Sequence, residues 1–252
     1  EYGLAVRRGT QLCVGGVRWG VGWRPLCGRG RGRAQWQYSA ASQATAAGKL
    51  ATLGISANAL MVLLFIAGIA CCVAMSMPQV HIVAYCGDLG YGVASGAEML
   101  SMMLGFGIIS RVASGFIADR IGGVATLLVG SLLQGVALFL YLFFNGLVSL
   151  YVISALFGLF QGGIVPAYAI IVREYFLPAE AGARVGMVIM ATMVGMALGG
   201  WMSGKVFDLT GSYQAAFLNG TAWNLLNFSI AFFLLYRVHR LDKLTAGREQ
   251  TA

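Results

Sequence analysis

The residues in this sequence that could do chemistry are few, and most sit in apolar surroundings. Arg111 falls within MLGFGIISRVASG, about six residues from the centre of an apolar segment, or roughly 9 Å along a helix at 1.5 Å per residue. An unpaired arginine at that depth costs about 2.5–3.5 kcal/mol on insertion scales. It is therefore expected to face a cavity, where its planar fork can hold a carboxylate through two parallel hydrogen bonds. The alternative is an arginine that snorkels to a loop at the membrane surface. His81 is the next candidate, because an imidazole can take and release a proton near neutral pH. A lone histidine near a helix end also serves simply to hydrogen-bond a neighbour.

Gln79, Gln161 and Tyr168 are polar enough to orient a ligand. Gln161 is followed by Gly162, Gly163 and Pro166, which loosen a helix, and such backbone is tolerated in a membrane where it lines a cavity. Close packing of the small residues is the other reading. Asn224 and Asn227 read as hydrogen bonds between helices, and Met99, Met102 and Met103 as adaptable apolar lining. The five cysteines (Cys13, Cys27, Cys71, Cys72 and Cys86) form no CxxC pair. With no nucleophile–base pair, phosphate loop or metal-ligand cluster, the chain does not read as an enzyme, and neither metal nor cofactor is expected. Proton coupling stays open through His81.

The elements that must position these residues follow from composition. Of 252 residues, 58% are hydrophobic and 10% charged, with mean hydropathy +0.77. A soluble domain carries roughly 25% charged residues, so bilayer lipid is the expected solvent. Apolar stretches lie near 53–86, 93–117, 122–143, 147–172, 185–207 and 214–236. A span takes about 20 residues, which gives an all-α integral membrane bundle of six helices over 50–237. Pro78 removes a backbone donor inside the first stretch, which predicts a long helix kinked or broken near Ser76–Gln79. The pairs Gly195/Gly199 and Gly200/Gly204 are small-xxx-small packing surfaces.

The formal charge of +8 is unevenly placed: residues 1–48 carry net +6 and the rest net +2. This leader, 1–49, is rich in Gly, Arg and Trp and has neither a spanning run nor a signal-peptide pattern. A Gly/Arg segment can bind RNA or anionic lipid, but a disordered arm or an out-of-frame or fragmentary gene start fits the composition better, and no nucleic-acid partner is expected. Alternate loops of the bundle place Arg120, Arg173, Arg184, Arg237, Arg240, Lys243 and Arg248 on one side and only Lys205 on the other. Lys/Arg excess marks the cytoplasmic side. The tail, 238–252, is thus expected in the cytoplasm and the bundle in the plasma membrane.

At the end of the second span the sequence reads SRVASGFIADRIGG. Gly115 is expected to allow close helix contact, Asp119 to sit beside a helix end, Arg120 to reach an acid, and Gly122 and Gly123 to permit a tight reversal. The stretch resembles the cytoplasmic loop signature of the major facilitator superfamily between its eighth and ninth helices. GLFQGGIVPAYAIIVREYFLPAEAGARVG is similar to the tenth helix and following loop of the monocarboxylate-porter and oxalate/formate-antiporter branch. GWMSGKVFDLTGSYQAAF and MPQVHIVAYCGDLGYG resemble the junction of helices eleven and twelve and the kinked seventh helix.

The resemblance implies a secondary carrier of small organic anions working by alternating access, of which this chain is one six-helix half of a twelve-helix fold. It implies that Arg111 is the anion anchor, matching the branch's arginine in helix eight. Two features do not carry over. Where several eukaryotic members have an aspartate one turn before that arginine, this chain has Gly107. The middle of the fifth span, MVIMATMVGMALGG, lacks the basic residue of the oxalate/formate type, and Lys205 lies too near the outer end. The expected partners are membrane lipid, an organic anion, and either an amino-terminal six-helix half or a second copy. A truncated membrane protein that does not transport is the rival reading.

Overall fold

A computed structural model describes residues 48–50 and 53–249; from residue 241 onward only its backbone is considered. Seven helices follow in order: α1 (Ala57–Asp88), α2 (Val93–Ile121), α3 (Gly123–Phe143), α4 (Leu147–Gln161), α5 (Ile164–Tyr175), α6 (Pro178–Thr210) and α7 (Tyr213–Glu249). No strand occurs among the described residues. With α4 and α5 taken as one span, six helices are long and apolar enough to cross a bilayer. This is a multi-pass membrane bundle.

Each reversal is made by local chemistry. Ser56 caps α1, its Oγ accepting the Ala59 amide at 3.2 Å. Between α2 and α3 the chain turns on one residue, Gly122, whose φ of +83° disfavours any side chain. Gly211, at φ +64°, ends α6 in the left-handed conformation. Pro178 opens α6 in the first turn, where its missing N–H removes no helical bond.

Of the two alternatives the sequence left for α1, the break does not occur: the helix runs 32 residues continuously through Pro78. The proline deprives the Ala74 carbonyl of its helical donor, yet every residue from 71 to 78 is buried and held from outside. A β-carbon on Gly199 of α6 would lie 2.6 Å from both Cα and O of Val73 and would overlap Ser76 Oγ. One on Gly195 would lie 2.5 Å from the Ile69 carbonyl. The Gly195/Gly199 pair thus does what small residues do in membranes and lets two backbones touch. Gly200 and Gly204 fit more loosely, against Val80 and His81 at 3.5 and 3.7 Å.

Two apolar clusters fill the bundle. At the arginine-rich end α1, α3, α5, α6 and α7 meet through residues such as Leu60, Leu64, Leu127, Ile171, Val188 and Leu234. At the other end Met77, Ile82, Met103, Phe157 and Phe217 join an aromatic chain in which Tyr141 stacks on Phe217 at 4.9 Å and Tyr85 meets Tyr213 edge-on at 5.1 Å. α2 contributes Met99 and Met103 to the second cluster and nothing to the first. The fold also reaches slightly ahead of α1. Leu53 is fully buried, and Arg237 Nη1 donates to the carbonyls of Leu53 and Gly54 at 3.3 and 3.2 Å. Apart from residues 48 and 49, the leader lies outside the described residues.

Candidate functional site

Arg111 lies on α2 beside the buried stripe Met103, Gly107, Ser110 and Ser114. The side chain is exposed, and its guanidinium has no ion pair or hydrogen bond among the described residues. Because α2 runs on to Ile121, its middle residue is Gly107, so Arg111 stands four residues from the centre, about 6 Å, rather than six.

Gln161 lies on the neighbouring helix, which packs on α2 through Gly158 and Gly162. It is the last residue of α4, 4% exposed, and its Oε1 has no donor among the described residues. Immediately after it α4 gives way to α5 through Gly162 and Gly163, as the loosened helix predicted. The reason for these glycines is contact. A β-carbon on Gly162 would sit 2.5 Å from the Gly107 carbonyl and 2.7 Å from Ser110 Cβ, and one on Gly163 would overlap Ser114. Gly158 abuts the Met103 backbone in the same way. The packing reading accounts for the small residues, and that packing sets Gln161, which precedes Gly162, near the level of Gly107, one turn from Arg111.

The other candidates are placed apart. His81 is half-buried, and its Nε2 donates to the Gly200 carbonyl of α6 at 3.1 Å, which fixes a proton on Nε2 and leaves Nδ1 without a hydrogen bond among the described residues. Its ring lies 6.3 Å from Tyr213. Gln79 is half-buried on α1, two residues before it. Tyr168 points inward: it is 1% exposed and its hydroxyl donates to Asn227 Oδ1 at 2.7 Å. Asn227 Nδ2 in turn reaches Ser131 Oγ at 2.8 Å, and Asn224 Nδ2 reaches the Ser131 carbonyl at 3.0 Å. These asparagines make the interhelical bonds expected of them, and Tyr168 belongs to the same layer.

The loop signature divides by role. Gly122 makes the reversal, while Gly123 is helical and buried, with room for no β-carbon because Ile171 Cγ1 would stand 2.8 Å away. Gly115 does not provide the close contact expected within the bundle: nothing lies within 4 Å of a β-carbon built there. It shares a helix face with Arg111, one turn away, and that face is not covered by these six spans. Asp119 and Arg120 are exposed and unpaired among the described residues.

Two features escaped the sequence reading. Glu98 accepts a hydrogen bond from the Tyr151 hydroxyl, tying α2 to α4. A carboxylate set in an otherwise apolar segment was the available signal. The second is Ser131 and Gln134, polar residues three apart in TLLVGSLLQGVALF: Ser131 meets Asn224 and Asn227, also three apart, while Gln134 Nε2 donates to the Cys71 carbonyl at 3.4 Å. Matched polar pairs on two apolar spans are a signal for a shared buried layer.

Comparison with known proteins agrees with this geometry. The family model described as Major Facilitator Superfamily matches residues 87–252. The chain is 32% identical over 160 residues to monocarboxylate transporter 13 of Rattus norvegicus, covering 63% of this chain and 37% of that protein. It is 31% identical to the Bos taurus protein of the same name, covering 63% and 38%. It is also 31% identical over 121 residues to probable anion transporter 5 of Arabidopsis thaliana, covering 46% and 28%. The chain thus spans under two fifths of the length of these curated relatives. A crystal structure of the peptide transporter POT in complex with sulfate superimposes with a TM-score of 0.59 at 20% identity, over 72% of this chain and 38% of that one. That likeness bears on the fold.

Proposed function

This chain belongs to the major facilitator superfamily, and from that premise we propose that it forms one six-helix half of a secondary carrier for small organic anions, with Arg111 as the anion anchor. The observation that carries this reading is a guanidinium with no partner, about 6 Å from the middle of a span and exposed beside an uncovered glycine. A buried or lipid-facing charge without a counter-ion is expensive; a carboxylate arriving from the aqueous cavity supplies one. Gln161, on the neighbouring span and with an unpaired amide oxygen among the described residues, would orient a hydroxyl or a protonated oxygen of the same ligand. The names of the relatives, monocarboxylate and anion transporters, support this class of substrate.

In this reading the bundle rocks against a second one about a site near the bilayer midplane, with the arginine-rich loops and the carboxy terminus in the cytoplasm and the bundle in the plasma membrane. The second bundle is either another part of a longer polypeptide or a second copy. Gly105 and Gly115 on α2, and Gly182 and Gly186 on α6, favour such a partner, since a β-carbon at any of them would meet nothing within 4 Å. Proton coupling would fall to His81 through its Nδ1, while Nε2 keeps α1 on α6. Gln79 lies on the same helix as His81, and Tyr168 supports the site by holding α5.

The test is uptake of a radiolabelled short-chain carboxylate by the intact carrier with Arg111→Gln. Uptake should fall to background while insertion and folding are retained. Normal uptake by a well-inserted variant rules out the anchor.

A further inference from the structure

A cavity of about 610 Å³ opens between the first turns of α1 and α6, at the arginine-rich end of the bundle, and Arg111 does not line it. Its walls are apolar, with Met61 and Val62 from α1 and Met187 from α6, and its rim carries Asn58, Glu180 and Arg184. The two charges are held in place. Arg184 Nε and Nη2 both donate to Glu180 Oε2, at 2.9 and 2.8 Å, and the guanidinium lies over the buried Phe176 ring, 4.3 Å from its centroid. Because one carboxylate oxygen takes both bonds, Glu180 Oε1 and Arg184 Nη1 have no hydrogen bond among the described residues. The rim therefore offers an acceptor and a donor of opposite charge, side by side above an apolar recess.

The cavity lies at the depth of a bilayer boundary. The middle residue of α6 is Val194, and along the helix Met187 stands about 10 Å from it, Arg184 about 15 Å and Glu180 about 21 Å. On α1, Val62 and Asn58 stand about 16 and 22 Å from the middle. Hydrocarbon ends roughly 15 Å from the bilayer centre, and the headgroups extend to roughly 20–22 Å. The apolar walls thus reach from chain depth to the edge of the hydrocarbon, and the charged rim spans the headgroup layer.

The chemistry narrows the lipid. The lining is neutral, with one carboxylate and one guanidinium, so an anionic headgroup gains nothing from net charge. A headgroup with both a phosphate and an ammonium meets both partners. Its phosphate accepts from Arg184 Nη1, and its ammonium donates to Glu180 Oε1. A primary ammonium has three N–H donors and a quaternary one has none, and charge-assisted bonds are the strong ones. Gly182 and Gly186, on which a second bundle would pack, lie one residue, about 100°, round α6 from Ala183 and Met187. The lipid and the bundle therefore take different faces of the helix.

We propose that this cavity binds one phospholipid with a primary-amine headgroup, clipped across the Glu180–Arg184 pair, with the start of an acyl chain on Met61, Val62 and Met187. The site stands independently of anion binding by Arg111.

Native mass spectrometry tests this on the full chain released from nanodiscs of phosphatidylethanolamine and phosphatidylcholine with identical acyl chains. The unaltered chain should retain one phosphatidylethanolamine, favoured by roughly tenfold or more over phosphatidylcholine. Stepwise N-methylation of the headgroup should erode that preference, with the last methyl removing what remains. Glu180→Gln, at an exposed position, should largely abolish the preference while the chain still retains either lipid. Met187→Trp, which fills the recess, should lower retention of both. Equal retention by the unaltered chain, a preference for phosphatidylglycerol, or an undiminished preference in Glu180→Gln would overturn the proposal. Loss of the lipid in the intact carrier would overturn it too, because a second bundle would then cover the cavity.

Discussion

α1 and α2 are neighbours of almost equal length, 32 and 29 residues, yet they are opposite kinds of helix. Over its most apolar stretch α1 is 72% buried, against 22% for α2. α1 carries no charged residue before its final Asp88, while α2 carries Glu98, Arg111, Asp119 and Arg120. α1 is the post around which α6 and α7 pack. α2 is held along a narrow stripe, through Gly96 against the Val83 backbone of α1 and through the glycines of the α4–α5 junction. The helix with the ionisable groups is therefore the one least committed to the core. A charge inside a packed bundle would need a fixed partner, whereas a charge on a loosely covered face can wait for a transient one.

The contrast can be broken most severely at the α1–α6 seam. Gly199→Val should prevent a folded bundle, since overpacking costs about 1–3 kcal/mol even where side chains can move, and here the obstacle is the Val73 backbone. A monodisperse, well-expressed variant in size-exclusion chromatography would show that α1 is not the post. On α2, Arg111→Gln should leave the unfolding free energy within about 0.5 kcal/mol while abolishing uptake. A marked loss of stability would mean that Arg111 is structural. Tyr168→Phe, which removes one hydrogen bond from the polar layer, should cost about 0.6–1.7 kcal/mol in chemical or thermal denaturation, and no measurable change would show that the layer holds nothing. The smallest effect is expected at Gly115→Ala, where alanine's better helix propensity should raise stability by up to about 1 kcal/mol. If a second bundle packs on that face, the same change should reduce transport in the intact carrier, and that pairing of outcomes would sharpen the distinction between the two helices.

The spans were legible because apolar stretches and their breaks follow from what lipid tolerates, and four of the six end within a few residues of their apolar stretches at both ends. Of the other two, α7 runs on past its stretch to Glu249, and α6 begins seven residues earlier than its own, because Pro178 starts a helix through polar residues that hydropathy does not count. The reversal at Gly122 and the break after Gln161 were legible from glycine alone. The continuity of α1 was not. Pro78 signals a lost donor, but the clamp that keeps the helix whole comes from Gly199, more than a hundred residues away. Tyr168 was misleading in the same way. A tyrosine in an apolar helix advertises a polar tip, and only the fold shows that Asn227 occupies it.

The seam between Gly68 on α1 and Thr192 on α6, 3.5 Å from a β-carbon at the glycine, has a consequence for how the protein is made. Of these six spans, the first to be synthesised packs chiefly on the last two. At about 5–20 residues per second, α1 spends roughly 6–25 s in the membrane before residue 192 is synthesised, and longer before Arg237 arrives to cap the Leu53 and Gly54 carbonyls. Throughout that interval its glycine-bearing face has no native neighbour, so biogenesis requires either a holding factor beside the translocon or a lipid-tolerant waiting state for this one helix.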